Sequence, residues 1–506
     1  MGSHEHSRPN ILFIMSDDHA SNAISAYGSP LAKDAPTPHI DRIGREGMVL
    51  EHCHCVNSIC TPSRANILTG LHSHLNGVRT LTDPLPADQV LLSELLQESG
   101  YATAIFGKWH LHVEPRGFDD WEVLPGQGRY FAPDFIVPGT DDRTYPSDNY
   151  GKRHVREGYV TDIITDLTLD WLKQRDPDKP FFLCCHHKAP HDRWEYDRAH
   201  EHIFDDITFD IPPTLFEDEQ TQQEISRRYG STISSRSEQS PMVKVLCRPS
   251  YPNGPSDFSG LEPKEQTLAA YQKYMLDYLR TVRSINNNVG RILDYLDESG
   301  LRENTIVIYT SDQGMLLGEH DFWDKRWFFD ESQRMPFLVR YPKEIPPNTR
   351  NNDMIDNVDF APTLLDYAGV DSPPQMQGRS FRPVLAGHTP EGWRQSVYYR
   401  YWMHMAHLLV PAHYAIRTQD FKLVLFYGMK LDADCDDEER PVSNTDPGWE
   451  LYDLRCDPLE TTNVYRDPAY IDTVVELKQQ LEALKVQYGD TDDRYPELIA
   501  LKGRLA

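Results

Sequence analysis

Four runs along the chain are apolar at almost every position: "NILFIM" (10–15), "YATAIFG" (101–107), "PFFLCC" (180–185) and "NTIVIYT" (304–310). Short runs that do not alternate with polar residues fit strands buried on both faces of a sheet. Other stretches carry the helical period. "VLLSELLQESG" (90–100) closes on Gly100, a residue suited to the left-handed turn after a helix. Within 267–298 apolar residues recur every three or four positions, at Tyr271, Met275, Tyr278, Val282, Ile285, Val289, Ile292 and Leu296, which predicts a long amphipathic helix. Strands interleaved with helices predict an α/β fold: a large mixed, mainly parallel sheet sandwiched by helices.

Two segments depart from this rhythm. Residues 192–262 are polar, rich in Pro and Ser and aperiodic, which predicts a long excursion over the surface. After 378–388 the texture changes to short alternating runs, "SVYYRYW", "HYAIRT", "FKLVLFY" and "WELYDL", and then to a helix over 470–487. This predicts a smaller α+β unit of antiparallel strands with a helix, hence a large domain over 1–388 and a small one over 389–506. The acidic run "DADCDDEE" (432–439) reads as a solvated turn, since its spacing does not fit a calcium-binding helix-loop-helix.

Charge narrows the partners. With 78 acidic against 51 basic residues among 506, the formal net charge is −27. Phosphate contacts need surplus Lys and Arg, so nucleic acid and anionic membranes are excluded as expected partners. A mean hydropathy of −0.59 leaves no room for a membrane span. The longest apolar run near the start, 11–15, is too short for a signal peptide, which predicts a cytoplasmic protein, or a periplasmic one if a leader was removed. An oligomer is compatible with the sequence. Eight cysteines in a chain this long are not a disulfide framework. "EHCHC" (51–55) could suggest zinc, but no partner CxxC or His pair follows and it reads as a strand. Cys184 and Cys185 read as buried thiols.

Each apolar run ends in reactive groups. "ILFIM" leads to Ser16-Asp17-Asp18, "TIVIYT" to Ser311-Asp312-Gln313-Gly314, and "TAIFG" to Lys108-Trp109-His110. "PFFLCC" leads to His186-His187-Lys188 and then Pro190-His191. In an open α/β sheet the ligand crevice lies beyond the carboxyl ends of the strands, so four strands deliver charge to one edge. Asp17, Asp18, Asp312 and Gln313 are hard oxygen donors suited to Ca²⁺ or Mg²⁺. One Asp after a strand is commonly a turn residue. Two such strand-end pairs mean more, because they bring three carboxylates, and carboxylates about 4 Å apart repel by roughly 4 kcal/mol at an effective dielectric near 20 unless a cation lies between them.

"SICTPSRANILTG" (58–70) adds a helix mouth. Pro62 suits a first turn and Gly70 can end the helix, which places Cys60 where free N–H groups favour an anion. Arg64 follows one turn later. A low-pKa thiol is one inference, yet a thiolate is a poor match for a hard cation.

On these motifs the chain resembles the formylglycine-dependent sulfatases of the alkaline phosphatase superfamily. "CTPSR" matches their C-x-P-x-R maturation signature, with "ANILTG" as its extension. "PNILFIMSDDH", "PTPHIDRIGREG" (36–47), "GKWH" (107–110), "APH" (189–191), "SDQGMLLGEHDFWDKR" (311–326) and "WELYDLRCDPLETTN" (449–463) stand in the family's order, so the likeness spans nearly the whole chain. The resemblance implies an alkaline phosphatase-like fold for 1–388. It implies oxidation of Cys60 by a separate formylglycine-generating enzyme to formylglycine (3-oxoalanine), whose hydrate carries two hydroxyls. It also implies one divalent cation, Ca²⁺ ahead of Mg²⁺, on Asp17, Asp18, Asp312, Gln313 and residue 60, although many relatives have Asn or His where Gln313 stands.

The catalytic set so implied is Cys60, Arg64, Lys108, His110, His191 and Lys325. Arg64 and Lys108 brace the hydrate and the sulfate, and Lys325 contacts sulfate and the leaving oxygen. The implied reaction is arylsulfatase-type hydrolysis of a sulfate monoester, aryl sulfate or sulfated sugar, through a covalent sulfo-enzyme. A hydrate hydroxyl attacks sulfur while His191 protonates the departing oxygen, and His110 then takes the second hydroxyl's proton. Phosphonate monoester or phosphodiester hydrolysis is the alternative within the superfamily, and a non-catalytic, metal-stabilised binding protein the alternative if Cys60 is never oxidised. His187 and Lys188 lie beside the site in sequence. His404, His407, His413 and Arg417 fall in a segment that in relatives approaches the pocket from the side, and either read the substrate or pack the interface. Trp194, Trp323, Trp327 and Trp402 could supply a stacking rim.

Overall fold

The four apolar runs become the strands Asn10–Ser16, Ala102–Lys108, Phe181–His186 and Thr305–Ser311. They lie parallel and side by side, in the order Thr305–Ser311, Asn10–Ser16, Phe181–His186, Ala102–Lys108. The structure, a computed structural model, describes residues 8–141, 148–217, 224–237, 239–432 and 442–505, with the side chain of His407 excepted. The four strands form the centre of a sheet of 10. Asp120–Leu124 extends the parallel set on one side, followed by the antiparallel Asp134–Val137 and Lys152–Val155. On the other side Phe337–Arg340 is antiparallel, and Met48–Leu50 and Thr349–Asn351 finish the sheet. Register pairs Ser16 with Ser311, and pairs both Met15 and Gly107 with His186, so the four carboxyl ends are level at one edge.

Successive residues of a strand point to opposite faces, and here both faces are covered. Ile11, Phe13 and Met15 pack with Ile67 and Leu68, Leu92 and Leu96, and Phe360 and Leu364. Leu12 and Ile14 pack with Ile40 and Ile43, Ile164 and Leu172, and Ile285, Val289 and Ile292. The last three belong to the long helix Pro263–Glu298, which begins on a proline at its first turn and a Glu262/Glu265 capping box.

Residues 192–262 do not simply cross the surface, contrary to expectation. Trp194, Phe209, Leu215, Ile233, Met242, Val243, Leu246 and Tyr251 are buried against Tyr271, Tyr274, Met275 and Tyr278 of the long helix. Single side chains reach this core from turns and from the short helix Met242–Val245, so no period betrays it.

The later strands are Ser396–Tyr401, His413–Thr418, Phe421–Phe426 and Gly448–Asp453, an antiparallel sheet in that order. Leu477, Leu481 and Leu498 of the helices Ile471–Tyr488 and Pro496–Arg504 cover one face. Ile59, Phe322, Trp327, Phe328 and Phe329 cover the other, against Tyr399, Tyr401, Phe426 and Tyr452. The acidic run 432–439 lies, apart from Asp432, outside the described residues. Cys53–His54 is a short strand beside Ile355–Asp356, and Cys184 and Cys185 are buried. Among the described residues no helix is long and apolar enough to cross a membrane.

A dry ion pair ties the segment before the small sheet to the short strand Ile355–Asp356 and the turn that follows it. The Arg394 guanidinium donates to both carboxylate oxygens of Asp359 at 2.7 Å and also pairs with Asp356. Both carboxylates are fully buried. Replacing Arg394 by Ala leaves them without a counter-charge, which costs about 3–5 kcal/mol. The expected result is a fall of several degrees in the thermal denaturation midpoint of Arg394→Ala; an unchanged midpoint would show that the clamp carries no stability.

Candidate active site

The level strand ends bring Asp17, Asp18, Asp312, Gln313, Lys108 and His191 to one place, with the helix Cys60–Thr69 above them. Gly107 makes the approach possible. Its φ is +103°, and a Cβ there would stand 2.0 Å from the His186 carbonyl oxygen. The chain then turns so that Lys108 Nζ donates to Asp17 Oδ2 and to Gln127 Oε1. The helix mouth starts from an extended Ile59 and ends at Gly70 with φ +64°. All 10 helix residues are buried, Cys60 completely. Ser63 Oγ donates to the Asp312 carbonyl, which fixes the helix to the loop carrying two of the acidic-corner residues.

Carboxylate oxygens of Asp17, Asp18 and Asp312 lie within 4.8 Å of one another, as do donor atoms of Asp17, Cys60 and His191. Among the described residues these are the groups of three that could hold an ion, and the Cys53 and Cys55 region is not one of them. Each carboxylate has its own cation. Lys108 pairs with Asp17 and Lys325 with Asp18, while Arg64 donates through Nε and a terminal nitrogen to Asp312 Oδ2 at 3.1 and 2.9 Å. Burial raises the pKa of Asp17, but Lys108, His191, Arg64 and Lys325 outweigh it and hold this carboxyl well below the usual range. Asp312 moves the other way: burial, and then Asp17, push it to about 7 against Arg64.

Two hard oxygens are left over. Asp17 Oδ1 and Gln313 Oε1 are buried without a hydrogen-bond donor, while Gln313 Nε2 donates to Asp18. Unpaired buried oxygens are costly. Beside three carboxylates they suit a hard divalent cation, so the residues present fit the ion that the sequence implies. Cys60 does not fit it as encoded. Burial pushes the thiol far above its ordinary pKa in spite of Lys108 and Lys325, so the group is neutral and a weak nucleophile.

Two histidines flank the cluster. His191 Nδ1 donates to the Asp192 carbonyl at 2.8 Å and lies 2.7 Å from its carboxylate, and Nε2 faces Asp18 Oδ2 at 3.7 Å. Burial would raise the Asp192 pKa, but His191, Lys325 and Lys188 hold it below the usual range, so Asp192 is an ionised anchor for the ring. Around His110, burial and then Lys108 keep the imidazole far below its ordinary pKa and hence neutral. Lys188 is buried with Nζ 4.7 Å from the Tyr130 ring centroid, and burial lowers its pKa to about 8.

Lys325 sits on a strained turn. Asp324 and Arg326 have φ of +107° and +82°, conformations that cost about 1–3 kcal/mol each and persist only where surroundings enforce them. Here an Asp324–Arg326 ion pair and a hydrogen bond of 2.6 Å from the Tyr399 hydroxyl to the Arg326 carbonyl do so. The same hydroxyl accepts from the Ser58 N–H at 3.4 Å, two residues before Cys60.

The small-sheet residues make other contacts. His404 Nε2 donates to the Ser443 carbonyl and Nδ1 accepts from Ala412 N–H at 3.1 and 3.2 Å. His413 is buried among Trp327, Phe328, Tyr399, Tyr401 and Phe426. Arg417 pairs with Asp330 at 2.9 Å. His404 and His413 thus make contacts within the small sheet and its packing, and Arg417 an ion pair, while the His407 side chain lies outside the described residues. Trp194, Trp323, Trp327 and Trp402 are buried core residues rather than an open rim. Gln127 and Asp192 were not picked out from the sequence. Asp192 had a signal in its adjacency to His191; Gln127, in a loop, had none.

Known proteins resemble this chain over nearly its whole length. The sulfatase family profile matches residues 9–370, and that of the C-terminal part of N-sulphoglucosamine sulphohydrolase matches 318–487. An N-acetylglucosamine-6-O-sulfatase of Bacteroides thetaiotaomicron is 40% identical over 99% of this chain and 90% of its own. A solved structure described as a complex with its substrate D-glucosamine-2-N,6-O-disulfate is 39% identical, with a TM-score of 0.85 over 97% of this chain and 100% of the other. A phosphonate monoester hydrolase of Silicibacter pomeroyi shares the fold at 21% identity, with a TM-score of 0.70 over 96% of this chain and 97% of its own. With the profile covering most of the chain and a relative of this identity matching nearly end to end, the chain belongs to the sulfatase family, enzymes that hydrolyse sulfuric esters.

Proposed function

We propose that this sulfatase removes the 6-O-sulfate of a glucosamine or N-acetylglucosamine unit, with residue 60 as formylglycine. The observation that carries the chemistry is the cluster of Asp17, Asp18 and Asp312, each with a buried cation, next to residue 60. The sugar is supported by the named activity of the relative at 40% identity and by the substrate in the structure at 39%. Those names favour a sugar over the aryl sulfate that the arylsulfatase-type reading put beside it.

The chemistry of the reaction divides between the oxidised residue 60, a bound ion and the side chains around them. Formylglycine supplies a hydrated aldehyde as nucleophile, and a divalent cation on Asp17, Asp18, Asp312 and Gln313 supplies Lewis acidity. Lys108 and Lys325 hold negative charge on the sulfate oxygens in a dry site, where such contacts act most strongly. Arg64 fixes Asp312 and, through 2.8 Å to the Lys108 carbonyl, the end of the lysine's strand. His191, anchored through Nδ1 by Asp192, offers Nε2 to protonate the departing sugar oxygen. Neutral His110 is suited to take a proton when sulfate is released.

Mass spectrometry of the tryptic peptide holding residue 60, from protein made in its native host, is expected to show formylglycine; an intact thiol together with turnover would overturn the nucleophile. Cys60→Ala is expected to lose at least about 10³ in kcat. In a substrate panel N-acetylglucosamine 6-sulfate should exceed aryl sulfate in kcat/KM, and both should exceed aryl phosphonate and phosphodiester. A preference for phosphorus would favour the superfamily alternative. Chelation of divalent ions is expected to lower both the rate and the thermal midpoint, with Ca²⁺ restoring both more fully than Mg²⁺ at equal concentration.

A further inference from the structure

His112 lies outside every motif discussed above, yet its ring is more tightly specified than that of His110. Nδ1 stands 3.0 Å from Asp148 Oδ1 and Nε2 2.8 Å from the Leu81 carbonyl oxygen. Both partners are acceptors only, so both ring nitrogens must carry hydrogen, and the ring is an imidazolium. Its backbone is held at φ +59°, next but one to His110 at φ +57°. The two ring centroids are 5.4 Å apart, edge to face, and His110 Nδ1 is buried without a partner. The other carboxylate oxygen of Asp148 accepts from the Gly126 N–H, which fixes the loop from which Gln127 reaches Lys108.

We propose that His112, held by Asp148, is a positioning residue for the reaction: a fixed positive charge beside His110 that keeps that imidazole free to take a proton. The inference rests on the base role given to His110 above. The groups facing His110 are Lys108, His112 and Arg64, which oppose its protonation, and Asp17, which favours it. Those facing His112 are Asp148 and Asp83, both of which favour its charge, and the His110 ring, which is neutral. The Asp148 hydrogen bond comes first among the causes that raise the His112 pKa, and burial opposes it. The charge is therefore present throughout the acid range in which His110 would otherwise protonate.

The test is the pH dependence of kcat on N-acetylglucosamine 6-sulfate for matured enzyme. In His112→Gln the acid limb should move up by about one pH unit, with KM changed less than about two-fold. His112→Asn should give the same shift, and serves if one neutral variant fails to fold. His112→Arg, which keeps a positive charge, should retain the wild-type limb. An unmoved limb in folded neutral variants, or the same shift in His112→Arg, would overturn the proposal. His110→Asn separates the two levels: if it keeps full turnover the base role itself fails, whereas lost turnover with an unmoved limb in the neutral variants refutes only His112.

Discussion

Three carboxylates and three cations buried within one small volume are the constraint that the rest of the site obeys. Like charges so close repel by several kcal/mol, and removing any one partner of a buried pair costs about 3–5 kcal/mol. The arrangement of Asp17 with Lys108, Asp18 with Lys325 and Asp312 with Arg64 is thus balanced to begin with. A bound divalent ion tips it positive, which is the sign an anionic ester needs. The level ends of four neighbouring strands hold it in shape, because the close-packed sheet beneath them cannot shift in part.

What could be read from the sequence follows from this. The central strands announce themselves because both faces are covered, so their composition is apolar without alternation. Asp17, Lys108 and Asp312 are legible because each ends or directly follows such a strand, and a strand end is a place that topology makes common to all of them. Cys60 is legible as the mouth of a helix, but its acidity is not: a helix dipole suggested a lowered pKa, whereas complete burial raises it.

The failures have physical reasons too. Residues 192–262 build a core from isolated side chains on turns, and burial of that kind has no period. The four tryptophans looked like a rim because composition alone cannot tell a wet aromatic from a dry one. Gln127 and Asp148 reach the site from loops, where position is set by backbone turns rather than by any repeating pattern. The small sheet was visible as alternating strands, but not that its second face closes on Ile59 and Trp327. Through Tyr399 that sheet touches both Ser58 and Arg326, so it forms part of the scaffold of the helix mouth and of the lysine turn.

The complete enclosure of Cys60 has a temporal consequence. A side chain with no exposed surface, in a helix whose every residue is covered, offers nothing for another macromolecule to grip once the chain has closed around it. A catalyst that oxidised that thiol would therefore have to reach the "CTPSR" stretch before the chain has closed around it.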